Sequence, residues 1–277
     1  MSRAAVLGCP IAHSLSPVLH RAAYAALGME ADWSYDRFEV DEAGLPGFLA
    51  GLDVIGDGWA GLSLTMPLKR AVIPLLDEVS ETALAVDAVN TLVFTADGRR
   101  VGDNTDVPGL VAALRERGVT RVESAAVLGA GATASSALAA LAQVCDGVVT
   151  TYVRGPERAA QMLALGDRLG VKVAAAPWER AAEAFTTPLT ISTTPVGATD
   201  TLTADVPQSP GALFDVLYHP WPTALAAAWE QRGGTVLGGL DLLVHQAVLQ
   251  CEQFTGVAEA PLAAMRAAGE AALAARE

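Results

Sequence analysis

Apolar positions along the chain follow two patterns, short runs that suit buried strands and stretches spaced at helical period, and the two alternate from the N-terminus onward. Ala4 to Gly8 is a buried-strand run, and Pro17 to Leu27 repeats apolar residues at helical spacing. A strand-like Trp33 to Val40, a helical Leu45 to Leu52, a strand-like Trp59 to Thr65 and an apolar-faced helix over Leu68 to Val79 follow. Asn90 to Phe94 and Arg99 to Val101 flank Asp97-Gly98, a pair suited to positive backbone dihedrals, so a hairpin is expected there. A helix is predicted from Pro108 to Arg117. Strand signals then recur at Ala125 to Leu128, Val148 to Val153, Leu189 to Ser192 and Leu213 to Tyr218, with helical patterns between them, which is the signature of a doubly wound parallel sheet. Leu240 to Phe254 and Pro261 to Arg276 close the chain as helices without further strands and are expected to pack back on the first part.

The length of 277 residues exceeds what one core usually fills, so the alternation is read as two domains. Hydrophobic residues make up 52% against 18% charged, enough apolar surface for packed cores. A formal net charge of -13 repels nucleic acid and anionic lipid, so neither is expected as a partner, and an anionic ligand needs a local positive site. Met1 to His13 lacks the length and cleavage pattern of a secretory signal, and the apolar window Val127 to Cys145 is interrupted by Thr133, Ser135, Ser136 and Gln143. Cys9, Cys145 and Cys251 are odd in number and widely spaced, which fits reduced thiols in the cytoplasm. Neither they nor His13, His20, His219 and His245 show metal-ligand spacing, and no metal is expected.

Chemistry enters at Val127-Leu-Gly-Ala-Gly-Ala-Thr-Ala134, where Gly129 and Gly131 fall directly after a strand and before a helix. A dinucleotide turn needs that context: glycines allow a tight bend and close backbone approach, and the helix N-terminus offers N–H groups to a pyrophosphate. Gly129, Ala130, Gly131 and Ala132 are therefore candidate cofactor contacts, although glycines here also serve simply to shorten a connection. The second strand ends in Tyr152-Val-Arg-Gly-Pro-Glu-Arg158, without the acidic residue that grips the ribose of NAD. Arg154 and Arg158 instead suit the additional phosphate of NADP(H), because a guanidinium fork matches phosphate bidentately. Solvated arginines at a strand-to-helix corner are the plainer alternative.

Five polar motifs stand at element ends: Ile11-Ala-His-Ser-Leu-Ser-Pro17, Ser63-Leu-Thr-Met-Pro-Leu-Lys69, Ala88-Val-Asn-Thr91, Gly102-Asp-Asn-Thr-Asp106 and Gly238-Gly-Leu-Asp-Leu-Leu-Val-His-Gln246. Their order and character, with the nucleotide turn among them, resemble the shikimate dehydrogenase family over nearly the whole chain. The resemblance implies an open α/β substrate-binding and catalytic domain from residues 1–105 and 239–277, with an NADP-binding, Rossmann-type doubly wound domain over 106–238. It also implies reversible, NADPH-dependent reduction of 3-dehydroshikimate to shikimate in aromatic amino acid (chorismate) biosynthesis.

Residue by residue, Lys69 and Asp106 match the family's catalytic lysine and aspartate, a pair able to hold and pass the proton of the alcohol as hydride moves. Ser14 and Ser16 match the carboxylate-binding serines, and Thr65, Asn90, Tyr218 and Gln246 match further substrate contacts; Thr193, Thr194 and Gly239 match contacts on the nicotinamide side. Helix capping by Ser16 or Asp106 and surface exposure of Lys69 are the structural alternatives. Three positions depart from the family pattern: Ser63 stands where asparagine is common, and Val153 and Gly155 flank Arg154 where an Asn-Arg-Thr triplet is common. The Ser63 departure shortens one expected substrate contact. A quinate/shikimate dehydrogenase preferring NAD and a non-catalytic nucleotide-sensing relative are the competing readings. The oligomeric state is not written in one sequence, and a homodimer stays open.

Overall fold

A computed structural model describes residues 1–276 and shows two compact units, Met1–Thr105 joined by the chain from Leu243 onward, and Asp106–Leu242. In the first unit the order is β1 (Ser2–Gly8), α1 (Ser16–Ala26), β2 (Trp33–Glu39), α2 (Leu45–Ala50), β3 (Trp59–Leu64), α3 (Leu68–Ala71), β4 (Glu78–Val79), α4 (Glu81–Val86), β5 (Thr91–Phe94) and β6 (Arg100–Asp103). The strands form one sheet ordered β2-β1-β3-β5-β6-β4. β1 pairs in parallel with β2 and β3, whereas β5 runs antiparallel to β3 and β6. The expected hairpin closes at Gly98, whose φ of 83° is the left-handed backbone that glycine tolerates. Ala4 to Leu7 are all buried, as befits a central strand covered on both faces. Ala5, Leu7, Leu62, Leu64 and Leu92 build the core together with Leu45, Leu49 and Leu68.

The helix expected over Leu68 to Val79 is not continuous. It stops at Ala71, continues as a 3-10 turn over Ile73–Leu75 and gives way to β4. Pro74 is the reason, since it lacks the N–H that a continuing helix would use and its ring crowds the preceding turn. The α4 helix, which periodicity did not reveal, is short and depends on its cap: the Ala83 N–H donates to Ser80 Oγ at 3.1 Å.

The second unit contains α5 (Asp106–Glu116), β7 (Ala125–Leu128), α6 (Ala132–Val144), β8 (Val149–Val153), α7 (Pro156–Leu169), β9 (Val173–Pro177), β10 (Leu189–Ser192), β11 (Ala212–Asp215), α8 (Ala224–Gln231) and β12 (Thr235–Leu237). Its sheet is ordered β12-β11-β10-β7-β8-β9 and every pairing is parallel. Strand order therefore reverses between β7 and β10, which makes the carboxyl ends of those two strands the switch point where such sheets bind ligands. β9 and β12 escaped the sequence pattern because they are the edges: one is alanine-rich and the other has three residues. β11 ends at Asp215, short of Tyr218. The chain bends there as the Leu217 N–H donates to Asp215 Oδ1 at 3.3 Å.

Two helices complete the chain, α9 (Gly239–Thr255) and α10 (Leu262–Ala274); the change of unit at Leu243 falls inside α9, and α10 lies against α1 in the first unit. Among the described residues no helix is long and apolar enough to cross a membrane, and no group of three or more His, Cys, Asp or Glu is placed to hold a metal.

Candidate active site

In the first unit the candidate residues cluster where β1 and β3 end. Parallel pairing carries past the strands: the Thr65 N–H donates to the Leu7 carbonyl at 3.0 Å and the Cys9 N–H to the Met66 carbonyl at 3.0 Å. Gly8 permits this crossing, since a Cβ there would lie 2.4 Å from Thr65 Cγ2 and 2.9 Å from the Met66 carbonyl oxygen. Lys69 follows on α3, half-buried, its backbone carbonyl accepting from the Val89 N–H at 2.8 Å. That bond ties the Lys69 turn to the segment that presents Asn90.

Ser14 and Ser16 lie at the start of α1. Ser16 does not cap the helix; it is the first helical residue, Leu15 holds the cap position, and the Ser16 N–H donates to Ser14 Oγ at 3.3 Å. Asn90, buried, donates from Nδ2 to Thr105 Oγ1 at 2.9 Å and to Gln246 Oε1 at 3.4 Å, while its Oδ1 accepts from the Thr105 N–H at 2.8 Å. Asn90 and Gln246, 156 positions apart in the chain, thus meet directly.

Four further residues join this network that sequence reading did not assign: Tyr35, Thr91, Thr105 and Gln250. Gln250 was detectable in principle, because it stands one helical turn after Gln246 and shares its face of α9. Ser63 also receives a different role from the one its substitution suggested. Its buried hydroxyl accepts from the Tyr35 phenol at 2.6 Å and donates to Gln250 Oε1 at 2.7 Å, so it is committed to the interior. Burial pushes the Tyr35 phenol far up, with the Ser63 and Ser16 hydroxyls opposing, so Tyr35 is a neutral hydrogen-bonding group.

The second unit holds Asp106, Tyr218 and all the nucleotide candidates. Asp106 opens α5, buried, with Pro108 in the first turn where a missing N–H costs nothing. Gly129 follows β7 with φ of 112°, and a Cβ on it would lie 2.6 Å from Thr193 Oγ1. Thr193 in turn donates both its N–H and its hydroxyl to the Leu128 carbonyl, each at 2.9 Å, which joins the ends of β7 and β10 at the switch point. Thr194, also after β10, lies 3.3 Å from Ser192 through their hydroxyls. Gly131 caps α6 without a side-chain hydrogen bond, and a Cβ built on it meets nothing within 4 Å. This open space before Ala132, at an uncapped helix N-terminus, fits the close approach of a pyrophosphate.

The two arginines diverge. Arg158, in the first turn of α7, donates to the Ala130 carbonyl at 3.5 Å and to Gln161 Oε1 at 3.2 Å, so it steadies the glycine turn. Arg154 is exposed at the end of β8 and lies over the indole of Trp178, 5.1 Å from the ring centroid. Gly155 follows with φ of 87°, which explains the glycine in place of the family's larger residue: the turn into α7 requires left-handed backbone. Gly239 is needed for close approach, since a Cβ there would lie 2.1 Å from the Val216 carbonyl oxygen. Tyr218 lies just after β11, next to Leu217, whose N–H buried Asp215 accepts; Asp215 also accepts from Thr223 Oγ1 at 2.8 Å, and desolvation pushes its carboxyl up.

These features define a dinucleotide-binding α/β protein with a second α/β unit carrying a polar, lysine-containing cluster. Residues 6–92 match the family model described as the shikimate dehydrogenase substrate binding domain, and residues 239–268 match that of the shikimate 5'-dehydrogenase C-terminal domain. The chain is 38% identical over 265 residues to the shikimate dehydrogenase (NADP(+)) of Thermus thermophilus, covering 94% of this chain and 95% of that protein. The crystal structure of Mycobacterium tuberculosis shikimate dehydrogenase superposes with a TM-score of 0.89 at 40% identity, over 98% of this chain and all of that one. Quinate dehydrogenase from Corynebacterium glutamicum, solved in complex with NAD, superposes with a TM-score of 0.86 at 28% identity, over 98% and 99%. The chain belongs to the shikimate dehydrogenase family.

Proposed function

We propose that this protein is an NADP-dependent shikimate dehydrogenase that reduces 3-dehydroshikimate reversibly to shikimate, within aromatic amino acid biosynthesis. The observation that carries most of this reading is the family likeness over nearly the full chain, 38% identity covering 94% of it; the assignment of Lys69, Asn90, Asp106 and Gln246 to the site is supported by the polar motifs in which they stand. NADP(H), when bound, supplies or accepts the hydride. Gly129, Gly131 and the N-terminus of α6 suit its pyrophosphate, and Arg154 suits its additional phosphate. Ser14 and Ser16 supply small hydroxyls for the substrate carboxylate, Thr65, Asn90, Tyr218 and Gln246 contact the ring hydroxyls, and Thr193, Thr194 and Gly239 face the nicotinamide. The Lys69 ammonium holds the proton at the alcohol oxygen and steadies the negative charge that develops there as hydride departs. Asp106, buried in the first turn of α5, is the partner in that proton transfer.

Purified protein offered shikimate or quinate, each with NADP or NAD, tests the assignment through absorbance of the reduced nicotinamide. Fast reduction with shikimate and NADP alone is expected. Comparable turnover of quinate with NAD would move the protein to the broader quinate/shikimate class, and silence in all four would leave a nucleotide-sensing role. We place the protein in the cytoplasm, consistent with three unpaired cysteines, and take a homodimer as the assembly to test by light scattering.

Trp178 gives this reading a specific handle. The indole holds the Arg154 guanidinium by its face and leaves the N–H edge for an anion. Trp178→Ala should weaken binding of adenosine 2',5'-bisphosphate by roughly threefold to tenfold, the effect of a cation–π contact of about 1 kcal/mol. Binding of 5'-AMP should change little. Calorimetry with both nucleotides checks this, and an equal loss for both would deny Trp178 a part in phosphate recognition.

A further inference from the structure

Inside the first unit a continuous set of buried hydrogen bonds runs from Tyr35 through Ser63, Gln250 and Thr91 to Asn90, and its proton directions can be assigned from one fixed point. The Asn90 backbone carbonyl can only accept, so the Gln250 group 3.0 Å from it is the amide nitrogen Nε2. The same Nε2 lies 3.0 Å from Thr91 Oγ1 and donates to it. Gln250 Oε1 is thereby turned to Ser63, which must donate, and Ser63 Oγ in turn accepts from Tyr35. Thr91, having accepted from Gln250, directs its own proton to Asn90 Oδ1 at 2.8 Å. Asn90 Oδ1 also accepts the Thr105 N–H at 2.8 Å, and no exchange of its oxygen and nitrogen is compatible with both donors. The Asn90 NH2 group is consequently the one that faces Gln246 Oε1, while Gln246 Nε2 donates to the Leu243 carbonyl at 2.7 Å.

We propose that Tyr35, Ser63, Gln250 and Thr91 are positioning residues that, beside the Thr105 backbone N–H, hold the Asn90 carboxamide in one place and polarity, so that Asn90 and Gln246 together read a hydroxyl and reject an ammonium. This rests on the functional reading above and deepens it. A hydroxyl accepts from Asn90 Nδ2 and donates to Gln246 Oε1 at once; an ammonium group, with donors only, meets the Asn90 NH2 head-on. Preference for a hydroxylated ring over its aminated analogue then originates in a chain of side chains that never touch the substrate. Ser63, in place of the more common asparagine, is the link that holds Gln250 Oε1 and carries the direction set there on to Tyr35.

The test compares wild-type protein with Ser63→Ala, Gln250→Leu and Thr91→Val, the last nearly isosteric with the native residue. Each is assayed with shikimate and with an aminoshikimate carrying an amine in place of one ring hydroxyl, alongside direct NADP binding and thermal melting. The variants should raise KM for shikimate by roughly fivefold, the effect of about one neutral hydrogen bond, with a smaller change in kcat and unchanged NADP affinity. The ratio of kcat/KM between the hydroxylated and aminated acids should fall, and Thr91→Ser, which keeps the hydroxyl, should restore both quantities. Melting temperatures that drop while KM and the hydroxyl-to-amine ratio stay at wild-type values would overturn the proposal, because that is what a purely structural network gives. Absence of shikimate turnover by the wild-type protein would instead strike the functional reading itself.

Discussion

Lys69→Ala should lower kcat for shikimate oxidation by a factor of roughly 10² to 10⁴, the range that positioned proton transfer contributes. Three consequences separate this from a trivial loss of structure. Lys69 is half-buried, the second residue of the short helix α3, so truncation removes little apolar contact and the melting temperature should move by no more than a few degrees. NADP binding should persist, since Gly129, Gly131 and Arg154 belong to the other unit. The defect should lie mainly in kcat, as expected for a group whose interaction strengthens when charge develops on the alcohol oxygen. Steady-state kinetics beside cofactor titration checks all three, and a variant with near-normal kcat would remove Lys69 from the chemistry.

Alternating strand and helix periods placed every strand of the second sheet except its two edges, because central parallel strands are covered on both faces and read as continuous apolar runs. Edges carry no such demand, and alanine-rich β9 is indistinguishable by pattern from a helical segment. The failure at Leu68 to Val79 was of another kind, apolar spacing that continued while Pro74 ended the helix. Ring and amide chemistry at the ends of elements was legible because such residues cluster in short polar motifs. The positions supporting them were not: Tyr35 lies on β2, Ser63 on β3 and Gln250 on α9, and only the fold joins Ser63 to a residue 187 positions away. Long-range polar partnership has no local period, so a sequence shows polar residues gathered in one short motif more readily than partners that only the fold brings together.

The same core holds a group that should govern acid stability. His20 on α1 is fully buried, stacks on Tyr35 with ring centroids 4.0 Å apart and an interplanar angle of 8°, and has Tyr24 and Phe254 as its other aromatic neighbours. Neither ring nitrogen has a hydrogen-bond partner within bonding geometry. Burial lowers its pKa to about 3, offset only in part by the nearby Gln250 amide. The surroundings offer no counter-charge: burial pushes the Tyr24 and Tyr35 phenols up and the Cys251 thiol up to about 11, so all three are neutral in acid. The unfolded chain therefore binds a proton at His20 between pH 6.5 and about 3 that the folded chain refuses, and stability falls as pH falls through that window. At pH 5 the loss from this one group is about 2 kcal/mol relative to pH 8. His20→Phe keeps a ring against Tyr35 and removes the titration, so its urea-unfolding free energy should decline less than that of the wild type between pH 8 and pH 5, by about that amount. Parallel curves for the two proteins over this range would show that His20 takes up its proton without unfolding. The interval above pH 5 is the informative one, because below it the carboxylates titrate in both proteins and mask a single imidazole.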